Sequence, residues 1–138
     1  VNLVNVNVQA KTIICVDSEC TDPNLTERNL GPSKKALKSL HPVTHFVVVV
    51  HALETWLAAD EEAIRAAINS KTPIRIPGNL EKECRPENIL KEIYRKHSRG
   101  RDFIKSKEDV IIAEHANPAR IAERCNSFKK FQQLLLSL

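Results

Sequence analysis

Four consecutive valines, at positions 47–50, constrain the fold more than any other feature of the sequence. β-Branched side chains lose rotamer freedom in a helix and pack well in a sheet, so this run predicts a strand over residues 44–50. A second apolar segment at residues 12–16 predicts another strand, and its unbroken apolar character is typical of a strand buried on both faces of a parallel sheet. The alternation of Val and Asn over residues 4–8 predicts a further, half-buried strand.

Helical patterns fill most of the remaining sequence. A short helix is expected over residues 33–40 with Ser33 as its N-cap, and a longer one over residues 53–69 with Trp56 and Ala67 on its apolar stripe. Further helices are predicted at residues 86–97, at residues 108–115, after an Asn117 cap, and around an apolar face of Phe128, Phe131, Leu135 and Leu138. This order predicts an α/β fold, a small parallel sheet covered by helices and followed by a mainly helical second half.

The chain length suits one domain. A chain of 138 residues is long enough to bury one core and too short for two. We expect a single domain over residues 1–138, with the sheet and the site in residues 1–69 and a mainly helical half in residues 70–138. The longest strongly apolar run is far below the ~20 residues that a membrane-spanning helix needs, and no signal peptide is recognisable. We therefore expect a cytoplasmic protein with no membrane association, and its oligomeric state stays open.

Glycine, aromatic and cysteine usage exclude several kinds of site. None of the three glycines belongs to a G-x-x-x-x-G-K or G-x-G-x-x-G pattern, which excludes a P-loop or Rossmann nucleotide site. The aromatic content of 4% disfavours a platform on which single-stranded bases stack. The four cysteines form no C-x-x-C pair and no zinc-binding spacing, so we expect four free thiols.

The net charge of +4 is concentrated in one segment. Residues 86–107 hold seven basic and three acidic side chains, which accounts for the whole excess of 21 basic over 17 acidic residues. Such a segment attracts nucleic acid, because each basic side chain that contacts a phosphate releases a condensed counterion, but it also fits a solvated helix face. The candidate nucleic-acid-binding residues are Lys91, Arg95, Lys96, Arg99, Arg101, Lys105 and Lys107.

Carboxylates follow both of the predicted parallel strands. Asp17 and Glu19 end the first strand, and residues two apart in an extended chain point to the same side, so both could hold one hard cation. Glu54 follows the second strand, at the sheet edge where open α/β sheets place their sites. We therefore predict a Mg²⁺ or Mn²⁺ site of Asp17, Glu19 and Glu54, with Glu54 as the candidate catalytic residue.

Each of these residues also has an ordinary structural explanation. Acidic residues are common in the polar loop after a strand, and the helix macrodipole favours a carboxylate such as Glu54 in the first helical turn. His51 is a possible fourth polar group of the site, although a histidine at a strand end is more often simply exposed.

Two short motifs resemble a known family. Residues 54–60 read E-x-W-L-x-x-D, and residues 127–131 read S-F-x-x-F. Together with the acidic pair after a buried strand, they resemble the Toprim-like bacterial and archaeal family of unknown function over roughly residues 12–138. The resemblance implies a Toprim-like fold and an activity that cuts or joins phosphodiester bonds. It also implies magnesium held by a D-x-D motif, which here reads Asp17-x-Glu19.

One part of the Toprim pattern has no counterpart. The resemblance implies a glutamate after the first strand that transfers protons, whereas residues 1–16 contain no acidic residue. Either a first strand is missing or the site has decayed, and a bound metal alone supplies only part of the catalysis. We therefore expect little or no nuclease activity from this chain. Three functions stay open: a magnesium-dependent enzyme acting on nucleic-acid phosphodiesters, a catalytically inactive module that binds nucleic acid or a partner protein, and a purely structural interaction domain.

Overall fold

The computed structural model describes residues 11–40 and 43–138. Its strands β1 (Thr12–Asp17) and β2 (Thr44–Val49) pair in parallel, so that Asp17 lies opposite Val49. Parallel pairing requires a crossover connection, and α1 (Pro23–Asn29) and α2 (Gly31–Leu40) supply it. Both strands predicted in this part of the chain are confirmed, whereas the strand expected at residues 4–8 lies outside the described residues.

Helices dominate the chain after β2. They are α3 (Leu53–Ala58), α4 (Glu61–Ala67), α5 (Pro86–His97), α6 (Lys105–His115), α7 (Pro118–Arg124) and α8 (Asn126–Ser137), with one 3₁₀ turn at Leu80–Lys82. The predicted fold class, a small parallel sheet covered by helices and followed by a mainly helical second half, is confirmed. No helix within residues 11–40 and 43–138 has the length and apolar character that crossing a membrane requires.

Three predicted helices differ in their bounds, one of which is α6, which begins at Lys105 and not at residue 108. The helix expected over residues 53–69 is two helices, because the Asp60 side chain accepts a hydrogen bond from Ala63 N at 3.1 Å and starts α4 afresh. Ser33 lies inside α2 rather than at its N-cap, because the Lys34 N–H already donates to the carbonyl oxygen of Leu30.

Strand β1 is less buried than its sequence suggests. Its residues are half-buried or exposed, and none belongs to the core. The prediction of a strand buried on both faces is therefore wrong. Among residues 11–40 and 43–138, the sheet consists of β1 and β2.

One buried cluster unites α3, α4, α5 and the helices that follow. At its centre, Trp56 Nε1 donates to Ser127 Oγ at 2.8 Å, and the Trp56 ring lies 5.0 Å from Phe128 and 5.4 Å from Phe131 between ring centroids. The two motif segments therefore pack against each other. Leu135 is 52% exposed, so the predicted apolar face of α8 meets the core through Phe128 and Phe131.

The cysteines are not all free. Cys20 and Cys84 form a disulfide with a Cα–Cα distance of 4.9 Å, which corrects the expectation of four thiols. These residues lie 64 positions apart, so their spacing in the sequence does not reveal the pairing. The bond ties the turn after β1 to the segment before α5. Cys15 and Cys125 are free, and burial raises the pKa of the Cys125 thiol to about 12, which disfavours the reactive thiolate.

Candidate functional site

A cleft of about 290 Å³ opens at the carboxyl ends of the two strands. Asp17 and Glu19 line it from the end of β1, and Glu54 lines it from the first turn of α3. The first turns of α5 and α6 contribute Glu87 and Lys105. The structure therefore places the three predicted carboxylates at one cleft, because the ends of parallel strands meet at one sheet edge.

Glu19 reaches this cleft through a turn and not through the strand. Strand β1 ends at Asp17, and Glu19 has a left-handed backbone with φ of 48°. Its N–H donates to the carbonyl oxygen of His51 at 2.7 Å, which fixes the turn against the residues after β2. The predicted extended geometry of Asp17 and Glu19 is therefore wrong, although both side chains line the cleft.

Glu54 is the most deeply buried carboxylate of the cleft, with 1% of its side chain exposed. Its Oε1 lies 2.6 Å from the Nζ atom of Lys105, whose side chain is 58% exposed. Its Oε2 has no hydrogen-bond partner among the described residues. A buried carboxylate oxygen without a partner is costly, so this position favours a bound cation or a donor from a ligand.

Further carboxyl groups crowd around Glu54. Asp17 is exposed overall, but partial desolvation of its carboxyl group at the cleft raises its pKa, and repulsion by Glu54 raises it further. Burial, followed by repulsion from Glu54, also raises the pKa of Asp109 in α6 to about 7. Repulsion between two ionised carboxylates favours a proton retained on Asp109. This excess of negative charge is what a cation would relieve.

Sequence reasoning missed Asp109 and gave Lys105 a different role. Asp109 lies one helical turn after Lys105, but nothing in the sequence places α6 beside α3. Lys105 is predicted to bind nucleic acid, whereas in the structure its ammonium is the partner of Glu54. That contact raises the pKa of Lys105.

The carboxylates do not form a ready-made set of three metal ligands. Across the described ranges, no group of three His, Cys, Asp or Glu side chains is arranged to hold a metal ion. Asp17, Glu19 and Glu54 thus line one cleft without converging on one point. An ion bound here would have two carboxylates at most as direct ligands and would keep several waters.

His51 braces the rim of the cleft. Its Nδ1 lies 2.6 Å from the carbonyl oxygen of Glu19, and its Nε2 lies 3.0 Å from that of Glu81. The ring is half-buried, so the expectation of a simply exposed histidine is wrong. Both partners are carbonyl oxygens, and a neutral ring donates to one of them. His51 therefore lies between the turn after β1 and the 3₁₀ turn.

The predicted nucleic-acid-binding residues lie on α5, on α6 and between them, and five of the seven have acidic partners. Lys91 pairs with Glu87, and Arg95 and Lys96 with Glu92, all on exposed helix faces. Arg101 pairs with the buried Glu108, as Lys105 does with Glu54. In the described part of the chain, Arg99 and Lys107 have no such partner. Exposed ion pairs are weak and exchangeable, so phosphates could displace the glutamates on α5 from their basic partners. Phosphates would displace the buried Glu108 and Glu54 less easily.

The raised pKa of Asp109 predicts a pH-dependent stability. The folded state retains this proton up to about pH 7, whereas the ordinary value is 3.8, so stability should fall as the pH rises between these values. In Asp109→Asn that fall should be smaller, and the variant should be more stable than wild type by on the order of 2 kcal/mol at about pH 8.

Thermal unfolding at about pH 5 and about pH 8 measures this effect. Asp102→Asn, an exposed change in the preceding loop, is the matched control and should follow the wild-type profile. Parallel pH profiles of stability for wild type and Asp109→Asn would contradict the raised pKa of Asp109.

Comparison with known proteins gives a family match across nearly the whole chain. Residues 9–136 match the model of a family described as a domain of unknown function, DUF4276. The matched region includes every residue that lines the cleft. No curated protein and no solved structure is significantly similar to the chain.

Proposed function

The chain belongs to the DUF4276 family of domains of unknown function, and we propose that its cleft binds Mg²⁺ or Mn²⁺ and acts on nucleic-acid phosphodiesters. One observation carries the proposal. Glu54 is 1% exposed, lines the cleft, and has an oxygen without a hydrogen-bond partner among the described residues. Asp17 lies in the same cleft, where its pKa is raised by partial desolvation and by repulsion from Glu54, as expected around an incompletely compensated charge.

The donor atoms fit a hard divalent cation. Asp17 and Glu54 would hold the ion directly, and Glu19 at the rim could reach it through water. Carboxylates without imidazole or thiolate favour Mg²⁺ or Mn²⁺ over zinc, and Mg²⁺ is commonly held by one or two carboxylates together with waters and substrate phosphates. When bound, such an ion supplies a Lewis acid that polarises a phosphoryl oxygen and acidifies a water molecule.

The residues of the chain have separate roles in this proposal. Lys105 is exposed enough to leave Glu54 and place its ammonium on a phosphate oxygen, where it balances developing negative charge. Glu54 sits at the start of a helix within the core, which fixes its position. Asp109 supplies a carboxyl group beside Glu54. Residues 1–16 contain no glutamate that could transfer protons, as the Toprim-like resemblance implies for such a residue.

Two further observations support nucleic acid as the substrate. The first turns of α5 and α6 line the cleft, and these two helices with the loop between them carry all seven candidate basic residues. The Toprim-like resemblance of residues 54–60 and 127–131 implies the same phosphodiester chemistry, and it includes Glu54.

A cleavage assay tests the proposal. Labelled DNA and RNA incubated with Mn²⁺ should be cut only slowly by the wild-type chain, because residues 1–16 supply no glutamate for proton transfer. They should not be cut in EDTA, and Asp17→Asn should cut at least about 100-fold more slowly than wild type. Glu62→Gln, which removes an exposed carboxylate paired with Arg65, is the control and should match wild type. Cleavage at the wild-type rate by Asp17→Asn would contradict the role of Asp17 as a ligand of the divalent cation.

One observation favours a second candidate function, a catalytically inactive module that binds nucleic acid or a partner protein. The Lys105 ammonium already compensates part of the Glu54 charge, as a structural ion pair would. This candidate predicts binding without cleavage under every cation condition. The same assay, with binding measured in parallel, separates the two functions.

A further inference from the structure

A second pocket, of about 330 Å³, lies between the turn after α4 and the end of α5. Its polar lining is basic and hydroxylic, and no carboxylate belongs to its described walls. The polar side chains that line it are Asn69, Ser70, Lys71, Thr72, Lys96, His97 and Arg99.

Local hydrogen bonds fix the rim of this basic pocket. The Thr72 N–H donates to Ser70 Oγ at 3.2 Å, and Thr72 Oγ1 lies 3.2 Å from His97 Nδ1, which ties the turn after α4 to α5. Asn69 and Arg99 both have left-handed backbones, with φ of 52° and 54°. Both helices therefore end in sharp turns, and these turns bring Lys71 and Arg99 to one pocket.

The positive charge of the pocket is largely uncompensated. Lys71 and Arg99 have no carboxylate within ion-pair distance in residues 11–40 and 43–138, and the remaining residues of the chain include no Asp or Glu. Lys96 contacts Glu92 at 2.6 Å, but both side chains are more than half exposed and can separate. Lys105 and Arg101 differ, because each pairs with a buried carboxylate.

We propose that the basic pocket binds a phosphate group of a nucleic-acid backbone. Lys71 and Arg99 would contact the phosphate oxygens, whereas the Ser70 hydroxyl already donates to the carbonyl oxygen of Thr72 at 3.0 Å and holds the turn. No aromatic ring lines the pocket apart from the His97 imidazole, so it would contact backbone and not distinguish bases. The choice of nucleic acid rests on the proposed function, whereas phosphate binding here requires no chemistry in the first cleft.

Fluorescence anisotropy with a labelled DNA duplex in EDTA tests this inference. The double variant Lys71→Ala/Arg99→Ala should bind about 10-fold more weakly at low salt, and its log–log salt slope should fall by about two, because two phosphate contacts are lost. The control Lys35→Ala/Lys38→Ala removes two exposed charges on α2 and should leave the slope nearly unchanged. Thermal unfolding checks that both variants fold.

Competition with inorganic pyrophosphate distinguishes the source of the phosphate. Pyrophosphate should bind wild type weakly and displace the duplex. If it binds wild type but not the double variant while duplex binding is equal in both, the pocket takes a free phosphate compound and the backbone assignment is overturned. Equal binding of both probes to wild type and variant would overturn the site itself. Because EDTA removes divalent cations, this result is independent of whether Asp17 and Glu54 support cleavage.

Discussion

Replacing Asp60 with Ala is expected to destabilise the fold by about 3 kcal/mol, because it removes a buried carboxylate that caps a helix and accepts two further hydrogen bonds. Asp60 is fully buried. Its Oδ1 accepts from Arg120 Nε at 2.7 Å and from Ala63 N at 3.1 Å, and its Oδ2 accepts from Asn117 N at 2.7 Å. Burial alone would raise the pKa of Asp60, but these hydrogen bonds hold it below its ordinary value.

Three interactions in α4 and α7 depend on this one side chain. Without it, α4 loses its N-cap, the backbone before α7 loses an acceptor, and the Arg120 guanidinium loses its partner. Urea unfolding followed by circular dichroism measures the loss. Asp22→Ala removes the exposed cap of α1 and is the matched control, with an expected loss of only about 1 kcal/mol. Similar losses in the two variants would contradict the central role of Asp60.

Much of the fold is predictable because its signals are local. The β-branched segments predict β1 and β2, and a proline at the first helical position predicts the bounds of α5. The break between α3 and α4 is not predictable in this way. The apolar spacing continues through residues 53–69, and the partners that hold Asp60 at the break lie 57 and 60 residues away.

The same difference between local signals and tertiary contacts decides which residues of the site are predictable. Asp17, Glu19 and Glu54 are predictable candidates, because carboxylates after parallel strands meet at one edge of the sheet. Asp109 and the pairing of Lys105 with Glu54 depend on where α6 packs, which is a tertiary feature. Five of the seven basic candidates contact carboxylates, and the count of basic residues by itself does not show these contacts.

The second large effect is expected in cation binding, where Glu54→Gln should weaken Mn²⁺ affinity strongly. The change keeps the volume of the side chain and removes the charge, so the core around α3 should remain packed. We expect a loss greater than the roughly 10- to 100-fold typical of residues that only orient a ligand, because Glu54 would be a ligand itself. Glu62→Gln again serves as the control.

Electron paramagnetic resonance of Mn²⁺ tests this cation site most directly, because the signal of the free hydrated ion disappears when the ion binds. The account predicts that the wild-type chain and Glu62→Gln each remove one equivalent of free Mn²⁺ in a saturable manner. Glu54→Gln, whose folding is verified by thermal unfolding, should leave the signal of free Mn²⁺ almost unchanged. Saturable binding that is equal in wild type and Glu54→Gln, or no binding by the wild-type chain, would contradict a divalent-cation site at Glu54.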